Sequence, residues 1–256
     1  LISFIFNSIT IYRIMLQNNN IKATTHVCPQ YAALAANPKR NPTAAAILSA
    51  ITDIIQMRVQ QQQQASSKKI TPTHYFATLM TALDEGNPSD RQDCMFLLKL
   101  LLPHVSKGVL QSKFVAAMDV FSNVLNDSAN PESLTNSLIK HLIECIGLVL
   151  AAQPCAPTFW AQPKTLQSFN AILNLIIDER PKIRKSSHEA IRILLRNGHG
   201  KYLSNNIVTC LEQILKSTTQ KNSKPVLIIL PLIQDVLPYL LDDDDDNNSN
   251  NNNNKK

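Results

Sequence analysis

Glycine is scarce in this chain, with 5 in 256 residues. Nucleotide-binding α/β folds need glycines in tight turns and phosphate loops, so the shortage argues against that class. Aromatic residues make up only 5%, too few for the stacking platforms that hold single-stranded nucleic acid. The five cysteines, Cys28, Cys94, Cys145, Cys155 and Cys210, are odd in number, and none stands at C-x-x-C spacing. That pattern supports neither a disulfide framework nor a zinc site, and buried free thiols are expected instead. Long hydrophobic runs are also missing. The most apolar stretch, "LISFIFNSITIYRIML", is interrupted by Asn7 and Arg13 and falls short of the ~20 residues of a spanning helix. It has no basic leader and no nearby small-residue cleavage site, so neither a membrane nor an export role is expected. Leu1 rather than Met opens the chain, as expected of a fragment, a processed product or an imperfect gene reading.

Hydrophobic residues, by contrast, reach 44% and prolines number 14. The prolines recur at apparent helix starts: Asn41-Pro42, Thr71-Pro72, Asn87-Pro88, Asn130-Pro131, Gln162-Pro163, Arg180-Pro181 and Lys224-Pro225. Proline suits the first helical position, where its missing N–H would have no partner anyway, and Asn or Thr before it can cap. Each pair precedes an apolar pattern of helical period, such as Ile47, Ile51, Ile54 and Ile55 after Pro42, or Leu110, Phe114, Met118, Phe121 and Leu125 further on. No stretch alternates with period two. The expected architecture is all-α: a solenoid of antiparallel helix pairs over residues 41–241, since short amphipathic helices bury a core only by stacking. Residues 1–40 are expected to be a disordered or non-native flank, the glutamines at 60–64 a helix extension or loop insertion, and 242–256, "DDDDDNNSNNNNNKK", a disordered acidic tail.

The clearest repeat unit spans 163–197. Its second helix carries D-x-x-P-x-I-R-x-x-x-x-x-A-I-x-x-L, from Asp178 through Pro181, Ile183, Arg184, Ala190 and Ile191 to Leu194. This resembles the second-helix motif of a HEAT repeat, in which the Asp and Arg tie neighbouring repeats together. The segments "AILSAITDIIQ", "THYFATLMTAL", "FVAAMDVF", "KTLQSFNAIL", "ERPKIRKSSHEAI" and "PLIQDVLPYL" follow one another in an order that resembles the N-terminal HEAT region of the ribosomal RNA-processing protein 12-like family. The resemblance covers about residues 41 to 241. It implies a non-catalytic helical-repeat scaffold of ribosome biogenesis, in the nucleus and nucleolus with shuttling to the cytoplasm. The implied partners are pre-ribosomal particles and ribosomal RNA, with Ran GTPase and nucleoporins as further candidates. The competing reading is an importin-like transport receptor or another HEAT scaffold subunit.

Charge is distributed unevenly. Residues 37–179 hold 11 bases and 11 acids, whereas 180–224 hold 10 bases and two acids, Glu189 and Glu212. On a helix from Pro181, Lys182, Lys185, Arg192 and Arg196 share one face, opposite Ile183, Ala190, Ile191 and Leu194. Bases at a helix N-terminus oppose its partial positive charge at about 0.3–1 kcal/mol each. Asp178 and Glu179 offset part of that cost. The ridge is the candidate nucleic-acid-binding site, because clustered bases on one face suit phosphate backbones. Glu189 is placed to pair with Lys185 or Arg192, and Arg184, beside the apolar stripe, is expected to tie repeats through an Asp. "GHGK" at 198–201 lacks the strand and spacing of a phosphate loop and reads as a helix exit and turn. His141 and Glu144 share a helix face without a third ligand or nucleophile. Trp160 reads as a packing anchor. No metal, cofactor or small-molecule substrate is expected, and no nucleophile, base and oxyanion donor assemble.

Overall fold

The computed structural model describes residues 27–61, 70–126, 135–217 and 224–241. The acidic tail, most of the glutamine run and the Asn130-Pro131 pair lie outside the described residues. Every regular element among those described is helical. The chain forms two compact units that divide between Ala152 and Gln153.

The first unit contains α1 (Pro29–Ala36), α2 (Pro42–Gln61), α3 (Pro72–Glu85), α4 (Arg91–Leu101), α5 (Lys107–Ser112), α6 (Phe114–Asn126) and α7 (Asn136–Ala151). The proline starts at Pro42 and Pro72 fall at the first helical residue. Asn41 Oδ1 accepts the Ala44 N–H at 3.3 Å. His74 Nδ1 accepts the Thr71 backbone N–H at 3.1 Å, filling the reciprocal role that Glu or Gln usually plays in a capping box. At α7, Thr135 is the cap, its Oγ1 accepting from Leu138 N at 3.1 Å.

Helix α4 is the centre of this unit and packs against α1, α2, α3 and α7. Met95, Leu97, Leu98 and Leu101 are wholly buried. Full burial of each such side chain stabilises by about 1.5–3 kcal/mol relative to leaving it exposed. The two tyrosines that enter this core have partners for their hydroxyls. Tyr31 donates its hydroxyl to the Leu97 carbonyl at 2.9 Å and meets the Tyr75 ring edge-on at 5.7 Å. Tyr75 in turn bonds Thr52 at 2.8 Å. Tyr31 corrects one expectation. It lies on a helix inside residues 1–40, where a flank was expected, and Pro29 starts that helix. A buried tyrosine that finds a partner for its hydroxyl is enough to dock a two-turn helix that propensity alone would not sustain.

At the α4–α7 seam, Glu144 accepts from Lys99 Nζ at 2.8 Å and lies 3.3 Å from His141 Nδ1. Burial alone would raise its carboxyl pKa. Hydrogen bonds from His141 and Lys99, with the charges of Lys99 and Lys140, outweigh that and hold it at about 2. The histidine and glutamate therefore serve the seam. Further on, the stripe expected through Leu125 is carried at its end by Val124, which is buried while Leu125 is 36% exposed.

The second unit contains the single turn α8 (Pro157–Trp160), then α9 (Pro163–Leu173), α10 (Pro181–Leu194), a π-helical turn (Leu195–His199), α11 (Gly200–Ser217) and α12 (Lys224–Leu241). Trp160 is buried, donates Nε1–H to the Pro154 carbonyl at 3.1 Å and lies on His199 with ring centroids 4.8 Å apart. Gly198 has φ +82°, a left-handed conformation that glycine adopts without steric cost and that ends helices. "GHGK" is thus a helix exit and turn. Cys28, Cys94 and Cys145 are buried thiols, with Cys94 pushed up to about 12 by burial and by the nearby Asp90 and Asp93. Cys155 is exposed and Cys210 half-buried, so the expectation of buried thiols fails at these two.

Gly200 tests how closely α11 and α12 approach. A β-carbon there would lie 2.8 Å from Tyr239 Cδ1 and 3.0 Å from its Cβ and Cγ. Gly200→Ala should therefore lower the stability of the chain by about 1–2 kcal/mol through overpacking. In a Tyr239→Ala background, which removes the ring but keeps the β-carbon contact, the same change should cost less. Urea unfolding of the four-member mutant cycle checks this.

Candidate nucleic-acid interface

The basic ridge is built on α10, and its start depends on Asp178. Arg180 N donates to Asp178 Oδ1 at 2.8 Å, Arg180 Nε to the same oxygen at 2.9 Å and Nη2 to Oδ2 at 2.8 Å. Arg184 Nη1 donates to the Asp178 carbonyl oxygen at 2.8 Å. The Arg180 side-chain hydrogen bonds hold the Asp178 carboxyl below its ordinary range, against a smaller opposing effect of burial. Pro181 then opens the helix with no N–H to satisfy. Arg184, expected to tie repeats through an Asp side chain, instead fastens the loop in front of its own helix.

The buried side of α10 carries Ile183, Ala190, Ile191 and Leu194, together with three polar residues, Ser186, Ser187 and His188. One of these caps the end of α9 and another the turn that follows it. Ser187 Oγ donates to the Ile172 carbonyl at 2.6 Å, and His188 Nε2–H to the Ile176 carbonyl at 3.0 Å. Helix ends leave carbonyls without intrahelical partners, and here the following helix supplies them.

The four ridge residues fall into two pairs. Lys182 and Lys185 are exposed and make no ion pair among the described residues. Arg192 and Arg196 are engaged. The Arg192 guanidinium meets Asp235 of α12 at 2.5 Å and Glu189 at 3.6 Å, with 23% of its side chain exposed. Arg196, 66% exposed, reaches Glu189 at 3.3 Å. Glu189 therefore pairs with both arginines and makes no ion pair with Lys185. Asp235 has no counterpart in the sequence reading. It lies 43 residues beyond Arg192, and nothing local to either residue signals the pairing. The four bases span about 21 Å along the helix at 1.5 Å per residue. Among the described residues no group of three or more His, Cys, Asp or Glu is placed to hold a metal ion, and no helix is long and apolar enough to cross a membrane.

A family model, RRP12-like N-terminal HEAT repeats, matches residues 48–248. The chain belongs to the RRP12-like family. It is similar to the RRP12-like protein of Gallus gallus, with 29% identity over 204 residues, covering 75% of this chain and 15% of that protein. Similarity to the Homo sapiens RRP12-like protein is 28% over 203 residues, with the same shares. The Drosophila melanogaster RRP12-like protein is 32% identical over 151 residues, 59% of this chain and 10% of that one. The chain thus spans about a seventh of the length of the first two relatives. An RRP12-like HEAT region accounts for the all-helical build and for the Asp178–Arg184 motif. The match extends past residue 241, where the helical region was expected to stop.

His188 gives the α9–α10 contact a pH dependence. Burial, the largest cause, lowers its pKa from 6.5, the Ile176 hydrogen bond opposes this, and the Arg192 and Arg184 charges lower it further. A histidine kept neutral by folding binds its proton more readily when unfolded. Its contribution is complete above pH 6.5 and is lost as the pH falls below that value towards the depressed folded pKa. The urea midpoint should drop between pH 7 and pH 5.5, and His188→Gln should flatten that slope. An unchanged slope would remove His188 from the account.

Proposed function

We propose that this chain is a non-catalytic HEAT scaffold of ribosome biogenesis, helices stacked in antiparallel pairs, which binds ribosomal RNA or RNA-bearing pre-ribosomal particles through α10. The observation that carries the RNA reading is the pair of exposed lysines, Lys182 and Lys185, on a helix start that gains nothing from them. Family membership supports the pathway, and with it a nuclear and nucleolar location. The chain's neutral first region and locally basic second region fit a scaffold with one phosphate-facing surface.

Within this reading the lysines and arginines do different work. Lys182 and Lys185 present uncompensated charge to phosphates, and counterion release gives such contacts their affinity and salt dependence. Arg192 and Arg196 share their charge with Glu189 and Asp235. They orient the ridge on α12 and add a weaker field.

Tagged chain, crosslinked in cells, should enrich ribosomal precursor RNA. Lys182→Glu with Lys185→Glu should lower that enrichment, and affinity for a precursor transcript in vitro, by about tenfold or more, with a shallower salt dependence. Because both lysines are exposed, unpaired and set against the helix dipole, stability should not fall and should rise by about 0.5–1 kcal/mol. Arg192→Ala should instead cost on the order of 1 kcal/mol of stability and little affinity. Enrichment unchanged in the lysine variant would move RNA binding off α10. No precursor RNA above background would remove RNA binding from this region.

A further inference from the structure

In the first unit, α3 presents Thr73, Ala77, Met80, Thr81 and Asp84, spaced three and four residues apart along one side. Lys113, just before α6, and Ala116, Ala117 and Val120 within it have the same spacing. Together with Phe76, Glu85 and Val109 these residues line one groove of about 250 Å³. Phe76 and Ala117 form its buried floor, Met80 and Val120 are half-buried, and Ala77 and Ala116 are exposed. Small residues on both walls leave room for another backbone to come close. Two rows of helical spacing with an apolar floor suit the face of a third helix.

Charge decides what kind of helix. Asp84 and Glu85 end α3, both exposed, and no basic residue lies in its last turn. The helix C-terminus adds its own partial negative charge at that point. Lys113 is the one base in the lining, so the groove is net negative. The basic ridge on α10 is a surface for anions, whereas this groove has the opposite sign and an apolar floor.

We infer that this groove is a docking site for a basic amphipathic helix of a partner protein. Apolar side chains at i and i+4 of that helix enter between Met80 and Val120, and a Lys or Arg meets Asp84 and Glu85. The inference stands apart from the RNA reading of α10 and survives its failure.

The test uses the full chain and two fluorescein-labelled sixteen-residue synthetic helices of leucine and alanine, one with lysines on its polar face and one with glutamates. Fluorescence anisotropy at low salt should show the lysine probe binding at least about tenfold more tightly than the glutamate probe. Ala116→Arg, at an exposed position, should abolish that binding while leaving the circular-dichroism melt unchanged. Asp84→Asn with Glu85→Gln should bring the two probes close to equal affinity, which keeps the test valid if Ala116→Arg perturbs folding. Equal binding of both probes to the parent chain would overturn the inference, as would binding that Ala116→Arg leaves intact. Binding that appears only after residues 1–26 are removed would also overturn it, assigning the groove to the chain's own apolar N-terminal segment. Binding that appears only on dilution of a self-associated chain would assign it to a second copy.

Discussion

The carboxylate of Asp178 takes every hydrogen bond that Arg180 offers it, and its own carbonyl takes one from Arg184. That arrangement answers the electrostatic problem posed by α10. A helix start has partial positive charge and N–H groups without partners, and here it is also loaded with bases. The aspartate brings a full negative charge to the start and fixes the turn that leads into Pro181. Once the turn is fixed, Ile183 enters the core, Ser187 and His188 reach the open end of α9, and the outward face of α10 is determined. The ridge thus has a direction because the loop before it has one conformation. Ion pairs on exposed surfaces contribute little by themselves. This one matters through geometry, since it orients two arginines and a helix start together.

The first unit solves a different problem. Its central helix has no exposed residue and packs against four others, so its stability comes from burial. The polar side chains that intrude are those whose partners lie within the same layer: Tyr31 on Leu97, Tyr75 on Thr52, Glu144 on Lys99. A buried polar group with a partner costs little, and one without a partner costs several times the gain from a hydrogen bond. The same accounting explains why His141 and Glu144 belong to the seam. Both stand on α7, and Glu144 reaches across to Lys99 of α4, so the contact joins two packed helices.

What could be read from the sequence follows from the range of the interactions involved. Helix starts are local events, so Pro42, Pro72, Pro163 and Pro181 were legible one residue at a time. The apolar periods were legible for the same reason, and so was the face shared by Lys182, Lys185, Arg192 and Arg196. The pairing of Arg192 with Asp235 was not, because 43 residues separate them and neither breaks a local pattern. Helix α1 was missed because eight residues of alanine-rich sequence show little amphipathic pattern, and what holds them is a contact from Tyr31 to a helix 66 residues away. Gly200 read as an ordinary turn residue, and the reason for it is the ring of Tyr239, on another helix. The groove on α3 and α6 was hidden as well. Each of its walls reads as the weakly polar outer side of a helix, and only their juxtaposition makes a concave apolar surface with an acidic end.

The split of the ridge into free lysines and paired arginines bears on why the bases sit where they do. Had the four bases served only to solubilise α10, the cheapest positions would be in its last turn, where the helix dipole favours them. The last-turn position is held by Arg192, and its charge is largely spent on Asp235 and Glu189. The two charges left uncompensated stand in the first turn and a half, where each opposes the dipole. Asp178 reduces that cost without cancelling the charge, because its oxygens are occupied by Arg180 and do not reach Lys182 or Lys185. The protein therefore maintains an unfavourable placement that folding does not require, and shields it from collapse onto its own acids. A surface of that kind is suited to anions from outside the chain, and this is the physical argument behind the proposed contact with phosphates.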